Sequence, residues 1–225
     1  MKILFAAVVA ALAVAAIPGT SFAANECNGI SRCIPVEGPW VAVPASGEVD
    51  YELGCPGGKG VVAGTDAEAS STDIRASFDA ILGAPVAYGR STATAVLFRV
   101  VSAHHKPGWF KPFIGCIPLP SSVRNTLASQ ASPLGAPLDY VARTIPVNPG
   151  FQRTVTLTCP TGESLVDSWS ATASSLAKPP AAGFGNAILV QTKLGARQAR
   201  LLVSVSETLP RGLGAQVQVG VRCAA

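Results

Sequence analysis

The sequence predicts an all-β protein built as two tandem antiparallel β-sandwich modules, each closed by one disulfide. Three observations carry that expectation. Only 13% of the residues are charged, while Gly and Pro number 22 and 18. With abundant Val and Thr, this composition favours short strands joined by turns over helices. Apolar and polar residues alternate in several runs, the period of two of a half-buried strand. The second half of the chain also repeats the first, at a period of about 100 residues.

Taken in order, residues 1–23 read as a secretory signal peptide. Lys2 precedes an apolar run from Ile3 to Ile17, a Pro-Gly break follows, and Ser21 and Ala23 are the small residues before a cut ahead of Ala24. The run is shorter than the roughly 20 residues a membrane-spanning helix needs. The expectation is a soluble, secreted protein, extracellular or periplasmic, with no integral membrane span. All six cysteines lie beyond the cut, so in an oxidising compartment they form a disulfide framework.

The repeat is clearest from Cys55, "CPGGKGVVAGTDAEASS", set against Cys159, "CPTGESLVDSWSATASS". The two run without a gap to Ser71 and Ser175. Upstream, Val43-Pro44 and Gly47 match Ile145-Pro146 and Gly150. Downstream, Leu82-Gly83 matches Leu194-Gly195, and "AVLFRVVS" from Ala95 matches "RLLVSVSE" from Arg200. Each copy closes on a strand holding a cysteine, Cys116 or Cys223. The modules are therefore 24–120, with an N-terminal disulfide loop, and 139–225. A Pro-, Ser- and Ala-rich linker spans 121–138, with a short helix expected around 123–130. One pair per module follows, Cys55–Cys116 and Cys159–Cys223, leaving Cys27–Cys33 to close the N-terminal loop. Loops of this length stabilise by about 4 kcal/mol each in the chain-entropy model.

Alternation assigns the faces. Val49, Tyr51 and Leu53 share the face of Cys55, as Val155 and Leu157 share that of Cys159, with Asp50 and Glu52 opposite. Thr65, Ala67 and Ala69 align with Trp169, Ala171 and Ala173, and Asp66, Glu68 and Ser70 face solvent. Ile74, Ala76 and Phe78 match Ile188 and Val190. Val96, Phe98 and Val100 match Leu201, Val203 and Val205. Phe110 and Ile114 match Val217, Val219 and Val221 on the face of the closing cysteine.

In architecture this arrangement resembles the immunoglobulin-like superfamily, with a disulfide joining an early strand to a late one 61 and 64 residues on. Trp169 is a loose counterpart of that family's buried tryptophan, and copy one has none. Ile114 and Val221 stand where the family places a tyrosine. The resemblance implies the sandwich and no ligand or activity.

Most candidate sites dissolve on inspection. "CPGGKG" lacks the spacing and the following helix of a phosphate loop, and copy two reads "CPTGES", so it is a turn. Asp66, Glu68 and Asp73 could offer oxygens to calcium, but copy two has Ser170 and Thr172 at the first two positions. His104 and His105 are the only histidines; as neighbours on a strand they point apart and cannot chelate one ion. There is no G-x-S-x-G elbow to suggest a hydrolytic triad. No metal or cofactor is expected.

The segment "HHKPGWFKPF", 104–113, is the candidate binding surface. With Phe110, Ile114 and Cys116 inward, Trp109, Lys111 and Phe113 face out beside His105, a set suited to stacking on sugar or filling a partner's pocket. The competing expectation is that the N-terminal loop or the other module covers them. Residues 24–120 hold seven Lys/Arg and nine Asp/Glu, and 121–225 hold nine and four. Opposite signs could dock the modules or hold the basic one near anionic polymers. The basic residues are scattered, so nucleic acid is not an expected partner. The sequence thus points to a secreted, non-enzymatic module that binds a protein or an envelope polysaccharide. An exported enzyme inhibitor or hydrolase is the alternative.

Overall fold

The computed structural model describes residues 26–27, 32–58, 60–79, 94–118, 139–181 and 183–224. The expected signal peptide, the linker with its short helix and the Leu82-Gly83 match lie outside them. Thirteen strands form, with every strand pairing antiparallel and no α-helix among the described residues. The first half holds β1 (Ile34–Glu37), β2 (Trp40–Val43), β3 (Glu48–Gly54), β4 (Gly60–Ala69), β5 (Ile74–Asp79), β6 (Ala95–Ser102) and β7 (Gly108–Pro118). The second holds β8 (Asp139–Pro146), β9 (Gln152–Thr158), β10 (Ser164–Ser174), β11 (Ile188–Leu194), β12 (Gln198–Val205) and β13 (Ala215–Ala224).

The repeat reappears in the strand pairing. β7 lies between β2 and β4 as β13 lies between β8 and β10, and β6 lies between β3 and β5 as β12 lies between β9 and β11. β4 and β10 even carry a register shift at the same place, just past the residue opposite the closing cysteine: Val62 faces Cys116, and Leu165 faces Cys223. The disulfides are Cys27–Cys33, Cys55–Cys116 and Cys159–Cys223, as the duplication requires.

The halves are not two separate sandwiches. β2 pairs with β10, Val41 opposite Ala173 and Trp40 opposite Ser174, so both large sheets merge into one that curls as a half-barrel. β1 and β2 lie along the same edge of β7 as two parts of one broken strand. The break falls at Gly38, whose N–H donates to Pro112 O at 2.8 Å and whose Cβ, if present, would strike the Pro112 ring. On one face of the shared sheet Val41, Val43, Phe110, Ile114, Ala171 and Ala173 pack against Val49, Tyr51, Val96, Phe98 and Val100 of β3–β6–β5. On the opposite face Trp40, Trp109, Val217, Val219 and Val221 pack against Val155, Leu157, Leu201 and Val203 of β9–β12–β11. Two small sheets thus cover opposite faces of one large sheet.

This arrangement corrects the faces expected for β10. The register pairs Ser170 and Thr172 with the core valines Val219 and Val217, so these, and not Trp169, Ala171 and Ala173, share the face of the second half's own core. The ungapped alignment from Cys55 and Cys159 runs one residue out across the turn, and a one-residue slip exchanges the faces of a strand. Ala171 and Ala173 point into the first half's core instead. The Trp169 ring lies over Gly220, where any Cβ would overlap it.

Polar contacts complete the join. β3 is the edge of its sheet, and Gln218 of β13 takes the place of a neighbouring strand there. The Glu52 N–H donates to Gln218 Oε1 at 2.7 Å, and Gln218 Nε2 donates to Glu52 O at 2.9 Å. Beside it Arg222 pairs with Asp50, both buried, and also reaches Asp167 at 3.2 Å. Asp50 in turn accepts from Arg99 Nε at 3.3 Å, and Arg99 reaches Glu48 at 3.2 Å. Asp50 and Glu52, on the face away from the first half's core, are therefore covered by the other half.

That cover has a measurable consequence at Glu52, whose carboxyl is pushed up to about 6 by burial, from an ordinary 4.5. Between those values the folded chain holds a proton that the unfolded chain has released, so stability falls as pH rises through that window. Glu52→Gln is expected to be more stable than wild type at pH 7.5, by up to about 2 kcal/mol, with the difference closing below pH 4.5. Urea unfolding across that range checks it; a difference that does not change with pH would contradict the burial of this carboxyl.

Candidate functional site

The outward side of β7 is not exposed. Trp109 and Lys111 are buried and Phe113 is half-buried, which corrects the expected open surface. The competing expectation accounts for Trp109: the other half covers it. Phe184, in the short 3-10 turn Phe184–Ala187 of the second half, stands with its ring centroid 5.5 Å from that of Trp109. Lys111 is covered from its own side. Its ammonium pairs with Glu37 and sits 5.5 Å from the Trp40 ring centroid and 5.8 Å from that of Phe113. Burial lowers its pKa below the usual lysine value. Further along β7, Glu26 lies against Gly115 and against Gly64 of β4, where a Cβ would overlap its carbonyl oxygen, and Cys33 Sγ lies against Gly115 as well.

His105 stays exposed, with Nδ1 3.4 Å from Ser46 Oγ. Ser46 is the one non-glycine residue among those described with positive φ, 47°. The same Oγ lies 3.4 Å from His104 O, and among the described residues no carboxylate pairs with the His105 ring. The geometry fits a turn held by its side chains rather than an oriented nucleophile and base. At the other end of the half, CPGGKG forms a 3-10 turn over Pro56–Gly58, with Gly57 at φ 65°. Asp66 Oδ1 accepts from the Ala67 N–H at 2.7 Å, Glu68 and Asp73 are exposed, and no group of three metal-ligating side chains occurs among the described residues.

What the covering of Trp109 leaves is a cleft of about 600 Å³ between the halves. One wall is Ala42, Val43, Pro44 and Pro107 of the first half; the other is Ser170 and Thr172 of β10 with Gly183, Gly185 and Asn186. Trp109 and Glu48 complete it. Most of the lining is apolar, with a few convergent hydroxyl, amide and carboxylate groups, the usual make-up of a small-ligand site. Of the four residues expected to form the binding surface only Trp109 lines it; Phe113, Lys111 and His105 do not.

The chain matches no protein-family model. No curated protein and no solved structure matches it either.

The sequence marked Ser170 and Thr172 only as counterparts of Asp66 and Glu68, and Asn186 not at all, though one signal could have found the last. Strands β10 and β11 are joined by residues 175–187, whereas β4 and β5 are joined by 70–73. An insertion in one copy of a repeat marks a loop added to an otherwise common frame.

Lys111 acts here as a filler between rings, and that role separates two substitutions. Lys111→Met keeps the aliphatic stem and is expected to stay within about 1 kcal/mol of wild type, since Glu37 remains solvated. Lys111→Ala leaves a gap between Trp40 and Phe113 and is expected to cost about 2 kcal/mol. Urea midpoints decide it; equal losses in the two variants would show that the charge, not the packing, matters.

Proposed function

We propose that this is a secreted, non-enzymatic binding protein of two β-sandwich modules, and that the cleft between its halves takes a short neutral stretch of an envelope polysaccharide. The carrying observation is the cleft itself: one aromatic ring, Trp109, beside the side chains of Ser170, Thr172, Asn186 and Glu48. Sugar rings offer an apolar face for the indole and hydroxyls for the polar groups. Three disulfides suit the oxidising surroundings of an exported protein, and no helix among the described residues is long and apolar enough to cross a membrane.

The module reading, with boundaries at 24–120 and 139–225, draws support from the repeated pairing order. The likeness to immunoglobulin domains draws support from the same source. The order β3–β6–β5, the pairing of β4 with β7 and a disulfide between the two sheets resemble the B–E–D, C–F and B–F arrangement of that superfamily.

Ser170 is exposed and lines the cleft without belonging to either core. Ser170→Trp should therefore fill the cleft and leave the fold intact. Its binding to neutral glucan and mannan probes, followed by calorimetric titration of the mature protein, is expected to fall at least tenfold at an unchanged melting temperature. Wild-type binding retained by this variant, or no glycan binding by the wild type, would overturn the proposal.

A further inference from the structure

The exposed face of β9–β12–β11 carries an arrangement that neither the fold nor the cleft explains. None of the three strands contains Asp or Glu, and together they hold Arg153, Lys193 and Arg200. Lys193 and Arg200 stand directly opposite each other in the register of β11 and β12. Both are exposed, and no hydrogen bond or ion pair to another described residue satisfies either. Like charges at directly opposed positions of an antiparallel pair destabilise it.

The corresponding sheet of the first half does the reverse. There Arg99 stands opposite Asp50 and also pairs with Glu48. Counting from Cys55 and Cys159, the β3 acids Glu48, Asp50 and Glu52 are replaced in β9 by Gln152, Thr154 and Thr156. The second copy has thus exchanged every acid of this strand for an amide or a hydroxyl, and added two opposed cations nearby. Arg200 lies beside Thr156, and Leu202 beside Thr154. A shallow depression of about 300 Å³ is lined by Thr154, Gln191, Thr192, Lys193, Arg200 and Leu202.

We propose that this face binds an acidic polysaccharide. Carboxylates of successive sugar units would meet Lys193 and Arg200, removing the repulsion between them. Thr154, Thr156 and Gln191 would meet the hydroxyls between those carboxylates. The chemistry favours a sugar polymer over other polyanions, because two cations on a flat hydroxyl-bearing face supply few phosphate contacts for nucleic acid. Leu189 is a single exposed apolar residue on that face, too little to anchor a bilayer surface. The proposal does not rest on the cleft.

The test uses the full mature protein with polygalacturonate as probe and dextran as neutral control. Affinity electrophoresis is expected to show retardation by polygalacturonate alone, weakening with salt at a log–log slope near 2. The Lys193→Gln/Arg200→Gln variant should lose at least tenfold in affinity, whereas Ser170→Trp should bind this probe as wild type does. Lys193→Glu places an acid opposite Arg200, and should abolish binding while matching or exceeding the wild-type melting temperature. Polygalacturonate binding that survives the double substitution would overturn the proposal. So would binding by the wild type only to phosphatidylglycerol vesicles or to double-stranded DNA.

Discussion

Two residue pairs hold the architecture together: Val41 opposite Ala173 and Trp40 opposite Ser174, where β2 meets β10. A ladder this short contributes little by itself. Its effect comes from what it aligns, because alternation along β2 and β10 sends neighbouring side chains to opposite cores. Val41, Val43, Ala171 and Ala173 enter one core, Trp40 the other. Neither core can be completed by one half alone. Ala171 and Ala173 belong to the chain's second half but fill the first half's interior, and Trp109 belongs to the first half but packs under Phe184 of the second.

The polar groups at the join follow from that alignment. Once β13 lies beside the open edge of β3, the Glu52 backbone needs a partner, and Gln218 supplies both a donor and an acceptor. Arg222 and Asp50 are buried together, a pair whose desolvation is offset only because each charge keeps a second partner. Acidic residues of the first half are consumed in this way, and the matching sheet of the second half, without them, pairs its cations with no acid among the described residues. The asymmetry of charge between the halves is thus partly structural.

Strands, disulfides and repeat were open to reading because they are local or periodic. Alternation around Val49, Tyr51 and Leu53, or Val217, Val219 and Val221, needs only the period of two. The cysteine pairing needs only the duplication. The join was not open to reading, since nothing in Trp40–Val43 or Ser164–Ser174 states that these segments meet. The exposed surface expected at Trp109, Lys111 and Phe113 failed for that reason: the face pointing away from one core points into another or lies under Trp40 of β2 and Glu37 of β1. The faces of β10 failed on a smaller matter, one residue of turn length after Cys159. Of the cleft, the sequence showed Trp109 and, in the longer β10–β11 connection, the place where a wall had been added.

If the shared sheet makes both cores depend on each other, the oxidised chain must unfold as one unit. Differential scanning calorimetry tests this most directly. A single transition is expected, with calorimetric and van't Hoff enthalpies equal. Two resolved transitions, or a calorimetric enthalpy well above the van't Hoff value, would mean that the halves fold independently and that the β2–β10 join is only a contact between them.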